Sequence, residues 1–180
     1  MSTKSTIFHN NKLHFYKDVF DEESVYLDLY DIEDNEDLIS LYNELENIEG
    51  VTYNKTISQT DLIKELNKSL LFIYPTNMTE TFCNSMIEAM SCGCYVISNN
   101  IGALKEVANP YGYFLDIEVK KDQIPPYDNF ITNEYLNEIV IIASNIIDSF
   151  LIKSPILEQH LVNQINYIKN KYKWNNNIFN

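Results

Sequence analysis

Two carboxylates stand out by spacing: Glu80 and Glu88, eight positions apart in the string Pro75-Thr76-Asn77-Met78-Thr79-Glu80-Thr81-Phe82-Cys83-Asn84-Ser85-Met86-Ile87-Glu88-Ala89-Met90. If the whole interval is helical, the rise per residue separates them by about 12 Å. An ionised carboxylate only accepts hydrogen bonds, so each can take the two hydroxyls of a vicinal diol. A helix N-terminus between them offers unpaired N–H groups and the positive end of a dipole, which suits phosphate. Diol, diphosphate, diol is the outline of a nucleotide-sugar site. By spacing alone, two solvated carboxylates on a helix face are the commoner reading.

The surrounding elements must put those residues at a crevice. From Lys12 onward, short buried runs alternate with amphipathic ones, the sequence appearance of βα units in a parallel sheet covered by helices. Strands are expected at Leu13–Tyr16, Val51–Asn54, Leu70–Tyr74, Cys94–Ile97 and Tyr113–Leu115. Leu70–Tyr74 is apolar on both faces and stops at Pro75, so it reads as a central strand. Helical spacing marks Glu36–Asn47, ending before Gly50, and a second helix starting at Ser58 with Asp61 in a capping-box-like arrangement. A third carries Phe82, Met86, Ala89 and Met90 on one stripe and ends at Gly93, and a short one spans Gly102–Val107. Val25–Tyr30 fits strand or helix, and Asp28–Asp37 reads as an acidic solvated face. After Pro125-Pro126 come two long helices, Asn133–Leu151 and Pro155–Tyr172. The expected fold is α/β: a Rossmann-like open parallel sheet flanked by helices, with two long C-terminal helices, whose ligands sit beyond the carboxyl ends of the strands. Residues 1–11 are polar and expected to form a flexible arm. Residues 12–180 are expected to form a single domain that includes the C-terminal helices 133–172.

Composition narrows the function. The chain has 180 residues, 45% of them hydrophobic and 22% charged, which places it among globular proteins rather than disordered ones. A formal charge of −13 repels nucleic acid and acidic lipid. The 13 basic residues are all Lys, so any phosphate must be held by Lys, hydroxyls or backbone N–H groups rather than a guanidinium fork. Cys83, Cys92 and Cys94 have no Cys-x-x-Cys spacing and read as reduced packing residues. No apolar stretch is long enough for a signal peptide or a span, so a cytoplasmic protein is expected.

The string around the two glutamates resembles the retaining GT-B glycosyltransferases of the broad family 4 type, glycosyl transferases group 1. Their donor domain carries E-x7-E within P-x-x-x-E-x-F-G-x-x-x-x-E-A-M-A-x-G-x-P-V-I. Here the matching residues are Pro75, Glu80, Phe82, Glu88-Ala89-Met90, Gly93 and Val96-Ile97. Gly102-Ala103-x-x-Glu106 follows in place of the family's G-G-x-x-E, and Tyr172-x-Trp174 is similar to its closing aromatic-Trp signature. The resemblance covers about nine tenths of the chain. It implies that Glu80 is the catalytic-site carboxylate on the donor sugar and that Glu88 holds the ribose. It also implies that Phe82, Cys83 and Asn84 line the sugar or diphosphate and that Gly102 and Ala103 offer backbone N–H groups. Ile57 is a looser candidate for flanking the base. The ligand implied is a nucleotide-diphosphate sugar, with no metal and no other cofactor.

Departures from the pattern temper that function. Cys83 stands where the family has glycine, and the family's second domain and its Arg/Lys loop have no counterpart in these residues. Lys17 and Lys55, in place of glycines, and Lys105 either restore positive charge near the diphosphate or are ordinary surface lysines. The expectation is therefore the donor-binding half of a transferase, poor as a catalyst alone, that works with a separate acceptor-domain chain or as a homo-oligomer. The alternatives are a non-catalytic, degenerate domain acting as an interaction module, and a truncated product. Apolar residues such as Ile139, Ile142, Ile146 and Phe150 on the penultimate helix are expected to form the partner surface.

Overall fold

The computed structural model describes residues 4–9, 12–17, 40, 43–44, 47–54, 57–117 and 131–172. Among the described residues, six strands form one sheet: β1 (Lys4–His9), β2 (Lys12–Lys17), β3 (Val51–Asn54), β4 (Leu71–Tyr74), β5 (Tyr95–Asn99) and β6 (Tyr113–Leu115). Their order is β3-β2-β1-β4-β5-β6. The helices described from end to end are α1 (Gln59–Leu66), α2 (Asn84–Ser91), α3 (Leu104–Ala108), α4 (Asn133–Leu151) and α5 (Pro155–Lys171). This is the Rossmann-like sheet flanked by helices that the alternating pattern predicts, with its two long C-terminal helices. Of the expected 36–47 helix, residues 40, 43 and 44 are described and are helical. The readings of Val25–Tyr30, Asp28–Asp37, Lys55 and Trp174 lie outside the described residues.

The N-terminal segment departs from expectation. In place of a loose arm, Lys4–His9 forms β1 and lies antiparallel to both β2 and β4, whereas β2–β3, β4–β5 and β5–β6 are parallel. Only Asn10 and Asn11 separate β1 from β2, and a parallel neighbour would need a crossover of about a dozen residues or more. The short connection therefore dictates the antiparallel pairing. Thr6, Ile7 and Phe8 are good strand formers, a signal that the polar average of the segment hides.

Successive residues of a strand point to opposite faces, and β4 and β5 use both. Phe72, Tyr74 and Val96 join one core with Leu66, Met86, Met90, Leu104 and Ile168, from α1, α2, α3 and α5. Leu71 and Ile97 join the other with Leu115 and with Tyr135 and Ile139 of α4. Each helix starts and stops where local chemistry allows. Ser58 caps α1, accepting the Asp61 N–H at 3.2 Å and donating its hydroxyl to the Asp61 carboxylate at 2.8 Å. Gly93, at φ +89°, ends α2 in a left-handed turn in which the Cys94 N–H returns to the Ala89 carbonyl at 3.0 Å.

The last two helices meet at 106°. Lys153, at φ 51°, takes the left-handed position after α4, and the Ser154 N–H returns to the Ser149 carbonyl at 2.9 Å. That corner carries α5 from one face of the sheet to the other. The apolar surface of α4 differs from expectation: Ile139, Ile142 and Ile146 pack toward the sheet, while Val140, Ile141, Phe150, Leu151 and Ile152 are exposed together with Ile156 of α5. The reason is phase, because Tyr135, Ile139, Ile142 and Ile146 share one helical stripe and the sheet takes it. No single described helix is long and apolar enough to cross a membrane.

A buried glutamine fastens α5. Gln164 Nε2 donates to the carbonyls of Met90 at 3.1 Å and Cys94 at 2.9 Å, satisfying two acceptors at the end of α2 and the start of β5. Gln164→Ala removes both bonds and leaves a cavity, so chemical denaturation is expected to show a loss of about 2–4 kcal/mol. Nearby, His160 lies between the rings of Tyr95 at 5.3 Å and Tyr111 at 5.2 Å, and burial pushes its pKa below the ordinary 6.5. The unfolded chain thus takes up the proton more readily, and the contribution to stability is present above about pH 6.5 and lost as pH falls toward the folded value. Between about pH 7.5 and about pH 5.5, His160→Phe is expected to lose less in melting temperature than the parent.

Candidate functional site

The strand order reverses between β1 and β4, and the crevice of an open α/β sheet lies at that reversal, beyond the carboxyl ends of the strands. The loop after β4 is therefore the segment to follow. Glu80 lies in it, four residues ahead of the first helical residue, Asn84, so the two glutamates are not joined by continuous helix as the rise estimate assumed. Glu80 is half-buried, and the Tyr74 hydroxyl at the end of β4 donates to its Oε1 at 2.8 Å. The Ala103 N–H donates to the Glu80 carbonyl at 2.8 Å. Gly102, at φ +56°, sits so close that a Cβ there would lie 2.4 Å from the Glu80 carbonyl oxygen.

This contact gives the Gly102-Ala103 turn a role within the protein. The Ala103 amide is engaged by the protein itself, so the turn grips the backbone of Glu80. Its glycine is needed for close approach to protein, which the Gly-Ala pattern alone does not disclose.

A buried polar chain holds the same loop from the other face of the sheet. Tyr135 of α4 donates its hydroxyl to Asn99 Oδ1, and Asn99 Nδ2 donates to the Thr76 carbonyl. Asn99 and Thr76 are fully buried. Burial, with Glu138 nearby, raises the Tyr135 pKa well above the ordinary phenol value, so the group stays a hydroxyl and a donor. Thr76 Oγ1 accepts the Met78 N–H at 3.2 Å, and Ser98 Oγ donates to the Tyr74 carbonyl at 2.7 Å. The carboxyl ends of β4 and β5 are thus tied together where the loop departs.

At the start of α2, Cys83 is the N-cap residue, at φ −105° and ψ 96°, and its own side chain makes no capping hydrogen bond. Any L-residue adopts that backbone, and the Cys83 side chain joins the core at 4% exposure, so the family's glycine is not required by conformation here. Asn84 is exposed as the first helical residue. Phe82, 43% exposed, meets the Tyr172 ring edge-on at 5.6 Å, and Tyr172 donates its hydroxyl to the Val107 carbonyl at 3.0 Å. The aromatic closing segment therefore braces both Phe82 and the end of α3.

Glu88 is half-buried on the second turn of α2, and Gln59 Nε2 from the first turn of α1 donates to its Oε1 at 2.7 Å. Ile57, just before α1, packs against the core. Lys17 is the last residue of β2, and Lys105 is exposed on α3. Burial raises the thiol pKa of Cys94 strongly and that of Cys92 less so, which keeps both in the protonated packing form. Among the described residues, no group of three His, Cys, Asp or Glu side chains is placed to hold a metal ion.

Tyr74, Asn99, Tyr135 and Gln59 were not singled out as site residues in the sequence. Tyr74 ends an apolar strand and reads as core, and Gln59 sits 29 residues from the carboxylate it meets. Gly102→Ala is expected to cost about 1–3 kcal/mol in thermal unfolding, since it combines a disfavoured φ with a clash against backbone that cannot rotate away.

The family model described as Glycosyl transferases group 1 matches residues 13–138. No curated protein matches the chain. Among solved structures, a chain of the crystal structure of the GtfA/B complex is similar, with 15% sequence identity and a TM-score of 0.47. The match covers 75% of this chain and 25% of that one, so this chain spans about a quarter of the solved chain's length.

Proposed function

The chain belongs to the glycosyl transferases group 1 family, and on that premise we propose that it binds a nucleotide-diphosphate sugar as the donor-binding half of a retaining GT-B transferase. The observation that supports the reading is the arrangement around the start of α2: a helix N-terminus at the carboxyl edge of the sheet, preceded by one anchored carboxylate and followed by another. The first N–H groups of an α-helix have no partner within the helix, and they point toward an anion bound there.

In this reading Glu80, held by Tyr74 and by the Gly102-Ala103 turn, accepts hydrogen bonds from hydroxyls of the donor sugar. Glu88 accepts from the ribose. Phe82 and the amides of Cys83 and Asn84 lie along the sugar and diphosphate. Transfer breaks the bond between the anomeric carbon and the diphosphate oxygen, forms one to an acceptor oxygen, and sends the acceptor's proton to the departing phosphate. Negative charge grows on that phosphate, and the α2 amides are placed to meet it. No metal enters this scheme. With Arg absent from the chain, positive charge must come from lysine, with Lys17, Lys55 and Lys105 as candidates.

The acceptor is supplied by a partner chain or a second copy, for which the exposed apolar corner of Phe150, Leu151, Ile152 and Ile156 is a suitable surface. The sheet, with β1 in its middle, and its helices act as one nucleotide-sugar-binding unit, working in the cytoplasm. A non-catalytic interaction module is the second reading, favoured by the lack of any guanidinium for the leaving group.

Thermal unfolding with UDP, GDP, ADP and their sugars separates the two. A nucleotide at a hundred times its dissociation constant is expected to add about 2.7 kcal/mol of stability. Glu88→Ala is expected to abolish that gain, whereas Glu80→Ala removes only the extra gain of a nucleotide sugar over the bare diphosphate. No response to any nucleotide would favour the interaction module.

A further inference from the structure

We propose that Gln59 contacts the ligand at the nucleoside end of this site, reading a ribose hydroxyl alongside Glu88. The inference rests on the donor-binding reading above and adds a residue and a selectivity to it.

Gln59 is the first residue of α1, five positions after the carboxyl end of β3 and therefore at the edge of the sheet where ligands bind. Its amide nitrogen lies 2.7 Å from Glu88 Oε1. Its neighbours on α1 turn inward upon their own helix: Ser58 bonds to Asp61, Asp61 to Lys64, and Lys68 beyond the helix to Glu65. Gln59 instead spans to another helix while remaining exposed itself. An exposed glutamine gains little stability from such a contact, but its amide fixes the rotamer of the half-buried carboxylate it meets.

The chemistry of the pair is complementary to a hydroxyl. A ribose hydroxyl donates one hydrogen and accepts through its oxygen, whereas a carboxylate only accepts. The carboxamide has a second N–H and a carbonyl oxygen. Beside Glu88 it provides the donor that the carboxylate lacks, so one hydroxyl gives its hydrogen to Glu88 and receives one from Gln59. Being neutral, Gln59 does this without neutralising Glu88. A nucleotide lacking that hydroxyl leaves both groups without the partner they are set for.

The test is calorimetric titration of the intact chain with UDP, GDP and ADP, then with the 2′-deoxy and 3′-deoxy counterparts of whichever binds most tightly. The parent is expected to prefer the ribonucleotide over one deoxy form by about tenfold, the size of one hydrogen bond to a charged group. Gln59→Ala and Gln59→Glu are each expected to weaken ribonucleotide binding and to shrink that preference. Binding of the discriminated deoxy form should hardly change in Gln59→Ala. Unliganded melting of Gln59→Ala should match the parent, since the side chain is exposed. If Gln59→Ala keeps both affinities while Glu88→Ala loses binding, Gln59 has no such role and the donor-binding reading stands. If the parent binds none of the three diphosphates, both fall together.

Discussion

Burial of β4 on both faces is the constraint from which the rest follows. Its four residues place Phe72 and Tyr74 in one core and Leu71 in the other, with Ile73 partly buried beside it. A strand buried on both faces needs helices above and below, and parallel neighbours need crossovers long enough to supply them. The chain meets both needs with α1, α2, α3 and α5 on one face and α4 on the other. The loop that leaves β4 is then obliged to emerge at the carboxyl edge, next to the reversal in strand order. Glu80 is where it is because Leu71–Tyr74 is apolar and Pro75 stops it.

The site loop has little hydrophobic content and is held by polar groups instead. Tyr135, Asn99 and Thr76 form a buried chain from α4 through β5 to the loop. Each buried polar group in it is matched, and the low dielectric that makes an unmatched one costly makes the matched set stiff. Tyr74 is divided in the same way, with its ring stacked on Phe72 at 5.7 Å and its hydroxyl on Glu80. Cores on both sides of the sheet therefore set the position of one carboxylate.

The C-terminal helices contribute to the site as well as to the fold. Gln164 ties α5 to the end of α2, and Tyr172 at the far end of α5 braces Phe82 at the start of α2. One helix thus holds the other at both ends. The Lys153 corner between α4 and α5 makes that possible, because it turns the chain through 106° and carries α5 to the other face of the sheet.

The sequence by itself determined the alternation of elements, the central place of β4, the two long helices and the two glutamates, because all of these are written in local signals. Apolar runs, helical spacing, Ser58, Gly93 and Pro155 act within a few residues of where they sit. The strand Lys4–His9 was not read from the sequence, because the polar average of the segment masks Thr6, Ile7 and Phe8. Only the tertiary structure decided what Gly102 is for, that Tyr74 and Gln59 hold the two carboxylates, and which apolar residues of α4 stay exposed. Those outcomes depend on which distant segments meet: Gly102 on Glu80, Gln59 on Glu88, and the sheet on the stripe that begins at Tyr135. A residue's type and its near neighbours specify its own backbone, but a hydrogen bond across 29 residues exists only once two helices have packed on the same face of one sheet.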